Sequence, residues 1–410
     1  MLICDLTQSY APKGGGGVST YLREKRRYIL EHTPHRLIQI VPGAEDRIVE
    51  DGRHIWVEIG AEQVRGSPNY RFILRTTAVR EVLDRYSPNV IESLCPWVLP
   101  WTAINYRRAN PQTALVAGYH TDFPNAHVHR VSAEILGLTL AGGLRRLSES
   151  YAEMTYRAFD RVYTLGEDMR ATLASYGISH VDVMDLGIDC ELFDPARRDP
   201  ALRHSLGLPG KGPLLVYAGR LDNEKRADRL LAMFHQLPKY FEAALLLIGD
   251  GKLRDQIVAE SAGLPIALPG FVDDRQELAR LLASSDIYVS AMADETFGIS
   301  VVEAQASGLP VVGVNSGAMP ERVIKGLGLL GPVDDFGAMA DNVIKVWQTG
   351  ARAMGLAARD HVLARYSWRR TFDSLLGEIY PAAIQRADQR SLKSRGFRWR
   401  IRDDELREPS

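Results

Sequence analysis

Two glutamates eight positions apart, Glu295 and Glu303, bracket the run Thr296-Phe297-Gly298-Ile299-Ser300-Val301-Val302. Carboxylates accept hydrogen bonds from sugar or ribose hydroxyls, and a glycine between them permits close backbone approach. The apolar run Asp286-Ile287-Tyr288-Val289-Ser290 ahead of them reads as a strand. The residues after Gly298 read as a short helix that stops at Gly308-Leu309-Pro310. The unpaired amides at such a helix start suit a phosphate. Carboxylates beside phosphate-binding amides are the chemistry of a nucleotide-sugar site.

Other candidates fall at strand ends, where open parallel sheets bind ligands. Gly219-Arg220 closes the apolar run Leu214–Gly219, and Lys225 follows near the next helix start. Arginine offers a fork and lysine a point charge, so the two suit a diphosphate leaving group. A solvated ion-pair loop with Asp222 and Glu224 is the alternative. Gly249-Asp250-Gly251 and Gly270-Phe271-Val272 end further strands and offer backbone amides to a nucleotide. In the first half, Tyr119-His120-Thr121-Asp122-Phe123-Pro124 also lies at a strand end. There His120 suits a sugar hydroxyl or the reacting phosphate and Asp122 an acceptor hydroxyl, although a lone histidine is often only structural. Gly14-Gly15-Gly16-Gly17 follows the first strand. It does not form G-x-G-x-x-G, which argues against hydride transfer, and it reads as a loop open to donor or acceptor.

Short apolar runs alternating with helical patterns must position these residues. Strands are expected at Leu2–Leu6, Leu37–Val41, His54–Ile59, Asn89–Ser93, Ala114–Tyr119, Arg161–Leu165 and Val181–Leu186, with helices at Arg71–Tyr86 and Leu144–Phe159. Proline-rich turns then interrupt the alternation, which restarts at Leu214. The expected organisation is a first domain over 1–195, a linker over 196–213, a second domain over 214–366, and a returning helix with a basic tail over 367–410. The fold class is α/β, with two Rossmann-like domains facing each other across a cleft.

At 410 residues, 45% hydrophobic and 25% charged, the chain has the composition of an ordinary soluble protein with room for two cores. A net charge of -1 gives no global case for nucleic-acid binding. Cys4, Cys95 and Cys190 lack metal-ligand spacing and fit a reducing compartment. With no leader pattern and no transmembrane run, a cytoplasmic location is expected.

Glu295-x7-Glu303, followed by Ala306-Ser307-Gly308-Leu309-Pro310-Val311-Val312, resembles the signature of the retaining glycosyltransferases of family 4. Gly219-Arg220-x4-Lys225, His120-Thr121-Asp122-Phe123-Pro124 and the N-terminal glycine run agree in order, so the resemblance spans Gly14 to about Tyr366. It implies a GT-B fold with the donor held mainly by the C-terminal domain. By the same resemblance Glu303 binds the ribose, Arg220 and Lys225 the diphosphate, and Glu295 the transferred sugar. Amides around Phe297, Gly298 and Ile299 contact sugar or phosphate, and His120 lies beside the reacting sugar. The implied transfer is retaining and needs no metal or cofactor, the nucleoside-diphosphate sugar being a substrate.

The His-Thr-Asp-Phe-Pro form is similar to that of bacterial transferases that place mannose, glucose or sulfoquinovose on lipids. A GDP-mannose or UDP-hexose donor and a lipid acceptor at the inner face of the membrane are thus one expectation. Soluble acceptors, a polysaccharide intermediate or a non-transferring binder of nucleotide sugars are the others. Leu144-Arg145-Arg146-Leu147 and the tail Arg395–Arg402, where arginine alternates with apolar residues, suit an anionic membrane surface. An ordinary amphipathic helix and a solvated terminus explain them as well.

Overall fold

The computed structural model describes residues 1–8, 10, 17–64, 67–129 and 138–405, with residues 67–70, 126–127, 129, 138 and 393–405 described by their backbone alone. The chain divides into two compact units, Met1–Met184 with Thr371–Ser410, and Asp185–Arg370. Both are built on mainly parallel sheets covered by helices, the two Rossmann-like α/β units expected from the sequence.

Among the described residues the first unit holds ten strands: β1 (Leu2–Leu6), β2 (Arg36–Gly43), β3 (Arg47–Asp51), β4 (His54–Gly60), β5 (Glu62–Val64), β6 (Ser67–Phe72), β7 (Val90–Ser93), β8 (Ala114–Tyr119), β9 (Arg161–Thr164) and β10 (Val181–Val183). Eight form one sheet in the order β10-β9-β8-β7-β1-β2-β4-β3, all parallel except the edge strand β3. Strands buried on both faces require near-continuous apolar runs, and β1, β7 and β8 are buried at every position. Strand order reverses between β1 and β7. The helix Gly17–His32 follows β1 and buries Tyr21, Leu22, Lys25 and Ile29.

Sequence patterning differs from the fold in several places here, among them the strand expected over Val181–Leu186, which stops at Val183. The helix expected from Arg71 begins at Thr76, because Arg71 and Phe72 belong to β6, which pairs antiparallel with β5. The helix expected over Leu144–Phe159 runs Leu138–Tyr156. The turn at Ala158 and Phe159 is closed by backbone bonds to Thr155 and Tyr156.

The second unit carries β11 (Leu214–Ala218), β12 (Ala244–Ile248), β13 (Ile266–Gly270), β14 (Ile287–Ser290), β15 (Val311–Val314) and β16 (Gly328–Gly331), in the order β13-β12-β11-β14-β15-β16. Renumbered within the unit this is 3-2-1-4-5-6, with the switch point between β11 and β14. The stretch expected as a linker is fixed to this sheet. Arg198 donates to the Ser285 carbonyl at 2.8 Å and to Asp286 at 2.8 Å, and Ser284 Oγ accepts the Asp199 amide at 2.8 Å. Residues 185–213 therefore belong to the second unit. The chain re-enters the first unit at Thr371 and runs through the helix Tyr380–Glu405. The backbone of the basic tail lies in that helix, and its side chains fall outside the described residues.

Candidate donor and acceptor sites

The loops after β11 and β14 flank the second switch point, and they carry Arg220, Lys225 and Glu295. Lys225 Nζ lies 3.2 Å from Glu295 Oε2 and 3.0 Å from Met292 Sδ. Glu295 Oε1 accepts the Gly298 amide at 3.1 Å, so one carboxylate joins the cation to the helix start. Gly298 has φ +81°, a left-handed conformation that disfavours a Cβ, and it opens the helix Ile299–Ala306. The backbone behind Glu295 is fixed as well, because the Ala318 amide donates to its carbonyl at 2.8 Å.

Arg220 is largely exposed and donates to Asp222 at 2.5 Å and Glu224 at 2.9 Å, the ion-pair loop that the sequence offered as the alternative. Such exposed pairs are worth roughly 0–1 kcal/mol, so they yield readily to a phosphate. Asp222 also accepts the Lys225 amide at 2.9 Å, holding the loop that presents both cations. Gly219 and Gly249 meet main chain to main chain: a Cβ on Gly249 would lie 1.9 Å from the Gly219 carbonyl oxygen. Phe271 is exposed and Val272 half-buried beyond β13.

Glu303 is buried and bound to Arg275 Nη2 at 2.6 Å. Burial pushes its carboxyl up, against the pull of Arg275. Arg275 escaped the sequence reading. Its position directly after Asp274, whose side chain caps the helix Arg275–Ala283, was the available signal. Arg322 escaped it too. This arginine is fully buried, donates to the Phe297 carbonyl at 2.8 Å, and lies 4.3 Å from the Phe297 ring centroid. Phe297, read as a backbone contact, has its side chain in the core. Ser300, next to Ile299, accepts the Tyr288 hydroxyl at 2.9 Å.

In the first unit, His120 follows β8 with Nε2 3.3 Å from the Tyr163 hydroxyl. Burial pushes its imidazole down to about 4, so it is neutral near pH 7. It lines a cavity of about 80 Å³ with Val18, Trp97, Thr121 and Phe123, which places the residue after Gly17 beside it. Gly14–Gly16 lie outside the described residues. Asp122 accepts from Tyr119 at 3.2 Å, from Tyr176 at 3.1 Å and from Asn125, so its carboxylate organises this loop. Among the described residues no group of three or more His, Cys, Asp and Glu side chains is placed to hold a metal ion. No helix among them is long and apolar enough to cross a membrane.

Comparison with known proteins places this geometry. The model described as Glycosyltransferase Family 4 matches residues 15–192, and that described as Glycosyl transferases group 1 matches residues 199–360. The chain therefore carries both glycosyltransferase domains, the family 4 model in its first half and the group 1 model in its second. It is 28% identical over 398 residues to the GDP-mannose-dependent alpha-(1-6)-phosphatidylinositol dimannoside mannosyltransferase of Mycobacterium tuberculosis, spanning 94% of this chain and 97% of that one. It is 29% identical to a sulfoquinovosyl transferase of Arabidopsis thaliana, over 74% of this chain and 58% of that one. Among solved structures, sucrose-phosphate synthase from Thermosynechococcus elongatus superimposes with a TM-score of 0.75 at 18% identity, covering 93% and 98% of the two chains. An Anabaena protein in complex with UDP and glucose gives 0.71 at 18% identity, covering 92% and 99%. With both domains matched, the chain is a glycosyltransferase.

Proposed function

We propose that this enzyme moves a hexose, with retention, from a nucleoside-diphosphate sugar to a lipid hydroxyl, with GDP-mannose the foremost donor. The observation that carries the reading is the Lys225–Glu295 pair at the second switch point, 3.2 Å apart at a helix start. It sets a cation for the diphosphate next to a carboxylate for the sugar. Arg220 adds a second cation, Glu303 anchors the ribose, and the backbone at Gly219, Gly249, Val272, Gly298 and Ile299 lines the donor. His120 serves the reacting sugar and Asp122 orders the acceptor loop. The acceptor oxygen attacks the anomeric carbon on the face the diphosphate leaves. The glycosidic bond forms as the bond to phosphate breaks, and the proton passes to the departing phosphate oxygen. Arg220 and Lys225 balance the charge that develops there, without a metal or cofactor.

The GDP-mannose-dependent phosphatidylinositol dimannoside mannosyltransferase that this enzyme resembles supports the donor and the lipid acceptor. So do Leu140, Leu144, Leu147 and Met154, large apolar side chains left exposed on one helix of the first unit, which suit a peripheral position on the inner membrane face. The test is incubation with GDP-mannose, UDP-glucose or ADP-glucose and phosphatidylinositol-containing vesicles. The expected products are free GDP and a lipid one hexose heavier, with the anomeric configuration of the donor. Inverted product, or transfer confined to soluble acceptors, would overturn the reading.

A further inference from the structure

The first switch point contains a buried charge cluster that donor binding does not use. Asp5 on β1 and Glu92 on β7 converge on Lys25 from the helix Gly17–His32, and all three side chains are fully buried. Lys25 Nζ lies 2.5 Å from Glu92 Oε2 and 2.7 Å from the Tyr380 hydroxyl. Tyr380 in turn donates to Glu92. Burial pushes Glu92 up, but Lys25 and the bonds from Tyr163 and Tyr380 outweigh it and hold the carboxyl below its ordinary value. Glu92 is therefore an ionised, acceptor-only group. Buried charges are expensive, so a cluster of this kind is weak evidence for stability alone.

The other carboxylate oxygen of Glu92 reaches toward His120. Glu92 Oε1 accepts from Tyr21 at 2.8 Å and from Tyr163 at 2.5 Å. A phenol has one hydrogen, and at 2.5 Å from an ionised carboxylate Tyr163 must direct it there. Its oxygen then faces His120 Nε2, 3.3 Å away, with lone pairs only. Gly118, paired with Tyr163 across β8 and β9, makes the approach possible. A Cβ at Gly118 would stand 2.6 Å from the Tyr163 hydroxyl and 2.8 Å from His120 Nε2.

We propose that Glu92 and Tyr163 are positioning residues that hold His120 as the neutral Nε2–H tautomer, leaving Nδ1 as the acceptor for a substrate hydroxyl. Among the described residues nothing hydrogen-bonds Nδ1. The hydrogen-bonding polarity runs one way: Lys25 and Tyr380 fix the charge on Glu92, Glu92 takes the Tyr163 proton, and Tyr163 takes the Nε2–H bond. The inference rests on the transfer reading only for the role of Nδ1. The tautomer itself is a property of the first unit.

The test uses the full chain labelled with 15N-histidine, with the His120 signal identified by its loss in His120→Gln. Wild type is expected to show the Nε2–H pattern. Tyr163→Phe, which keeps the ring packing, is expected to mix the tautomers and lower kcat by roughly ten-fold or more, with donor KM changed less than about two-fold. Glu92→Gln is expected to do the same. A Tyr163→Phe chain without native circular dichroism would be replaced by Gly118→Ala, whose methyl separates the same two atoms. An Nδ1–H signal in wild type, or unchanged tautomers in the variants, overturns the proposal, as does a changed tautomer with unchanged kcat. Absence of any transferase activity would instead overturn the functional reading, and the spectra would still decide the tautomer.

Discussion

Arg322 and Phe297 form one unit: the buried guanidinium donates to the Phe297 carbonyl at 2.8 Å while lying 4.3 Å from the centre of its ring. The same arginine reaches the Tyr366 hydroxyl at 3.3 Å, and Gln305 Nε2 donates to its carbonyl at 2.8 Å. The loop carrying Glu295 is thus held from beneath by a cation–π contact and a charged hydrogen bond. Arg322→Met leaves that carbonyl buried without its donor. A loss of about 2–4 kcal/mol is expected, read as a lower urea midpoint with unchanged m-value. A variant as stable as wild type would contradict this role.

Lys225→Ala and Glu295→Gln test the donor pair. Each is expected to lower transfer by about 10²–10³ at saturating donor, with circular dichroism unchanged. In Glu295→Gln the side-chain oxygen still accepts the Gly298 amide, so the melting temperature should move little. Turnover near wild type in both variants would remove the pair from the site.

Glu303→Gln separates nucleotide binding from folding. The glutamine carbonyl still accepts from Arg275, now without opposite charge. Titration calorimetry with GDP and UDP should show affinity reduced about ten-fold or more for the enzyme's own nucleotide, the loss of a charged hydrogen bond. Unchanged affinity together with a lowered melting temperature would make Glu303 a purely structural partner of Arg275.

The buried imidazoles set a pH dependence of stability. His54 and His120 are both pushed down to about 4, foremost by burial. The unfolded chain therefore binds more protons than the folded one between about pH 6.5 and 4. Their contribution is full above pH 6.5 and is lost as pH falls through this window. Asp5, raised to about 6 by burial, acts in the opposite sense: its contribution grows as pH falls from 6 toward 3.8. His35, His180 and His361 are pushed down by burial as well, and Glu303 is pushed up. Among the described residues five lowered imidazoles thus stand against two raised carboxyls, and the melting temperature should drop between pH 7 and 4.5. His54→Gln should flatten that drop by about 1–3 kcal/mol. An unchanged slope in His54→Gln would show that this histidine titrates normally.

Much of the second unit was legible from its residues. The strand Ile287–Ser290 and the helix Ile299–Ala306 fall where patterning put them, because an apolar run after Asp286 and the stop at Gly308-Leu309-Pro310 leave little choice. The strands β3, β5 and β6 were not legible: β3 is exposed throughout, so its residues carry no burial pattern. In the site, Lys225 and Glu295 were visible as motif residues, while their contact 70 positions apart was not. Lys25 is the sharper case. It sits among Arg23, Arg26 and Arg27 in a helix that reads as basic surface, yet its partners are 20, 67 and 355 positions away. Local sequence cannot reveal a buried charge whose compensation is that remote. Arg275 and Arg322 are hidden for the same reason, since arginine is ordinarily a surface residue.

The glycines at Gly249 and Gly251 bear on redesign. A Cβ at Gly249 would meet the Gly219 carbonyl oxygen at 1.9 Å, and one at Gly251 would meet that of Leu221 at 2.4 Å. Here the gap between neighbouring loops is one peptide thick, a dimension set by van der Waals radii and not by any side chain. Libraries that vary these loops would mostly sample broken frames. On the proposed donor reading, preference is open to change at side chains standing clear of this seam, such as Phe271 and Val272, and the frame around them behaves as a fixed gauge.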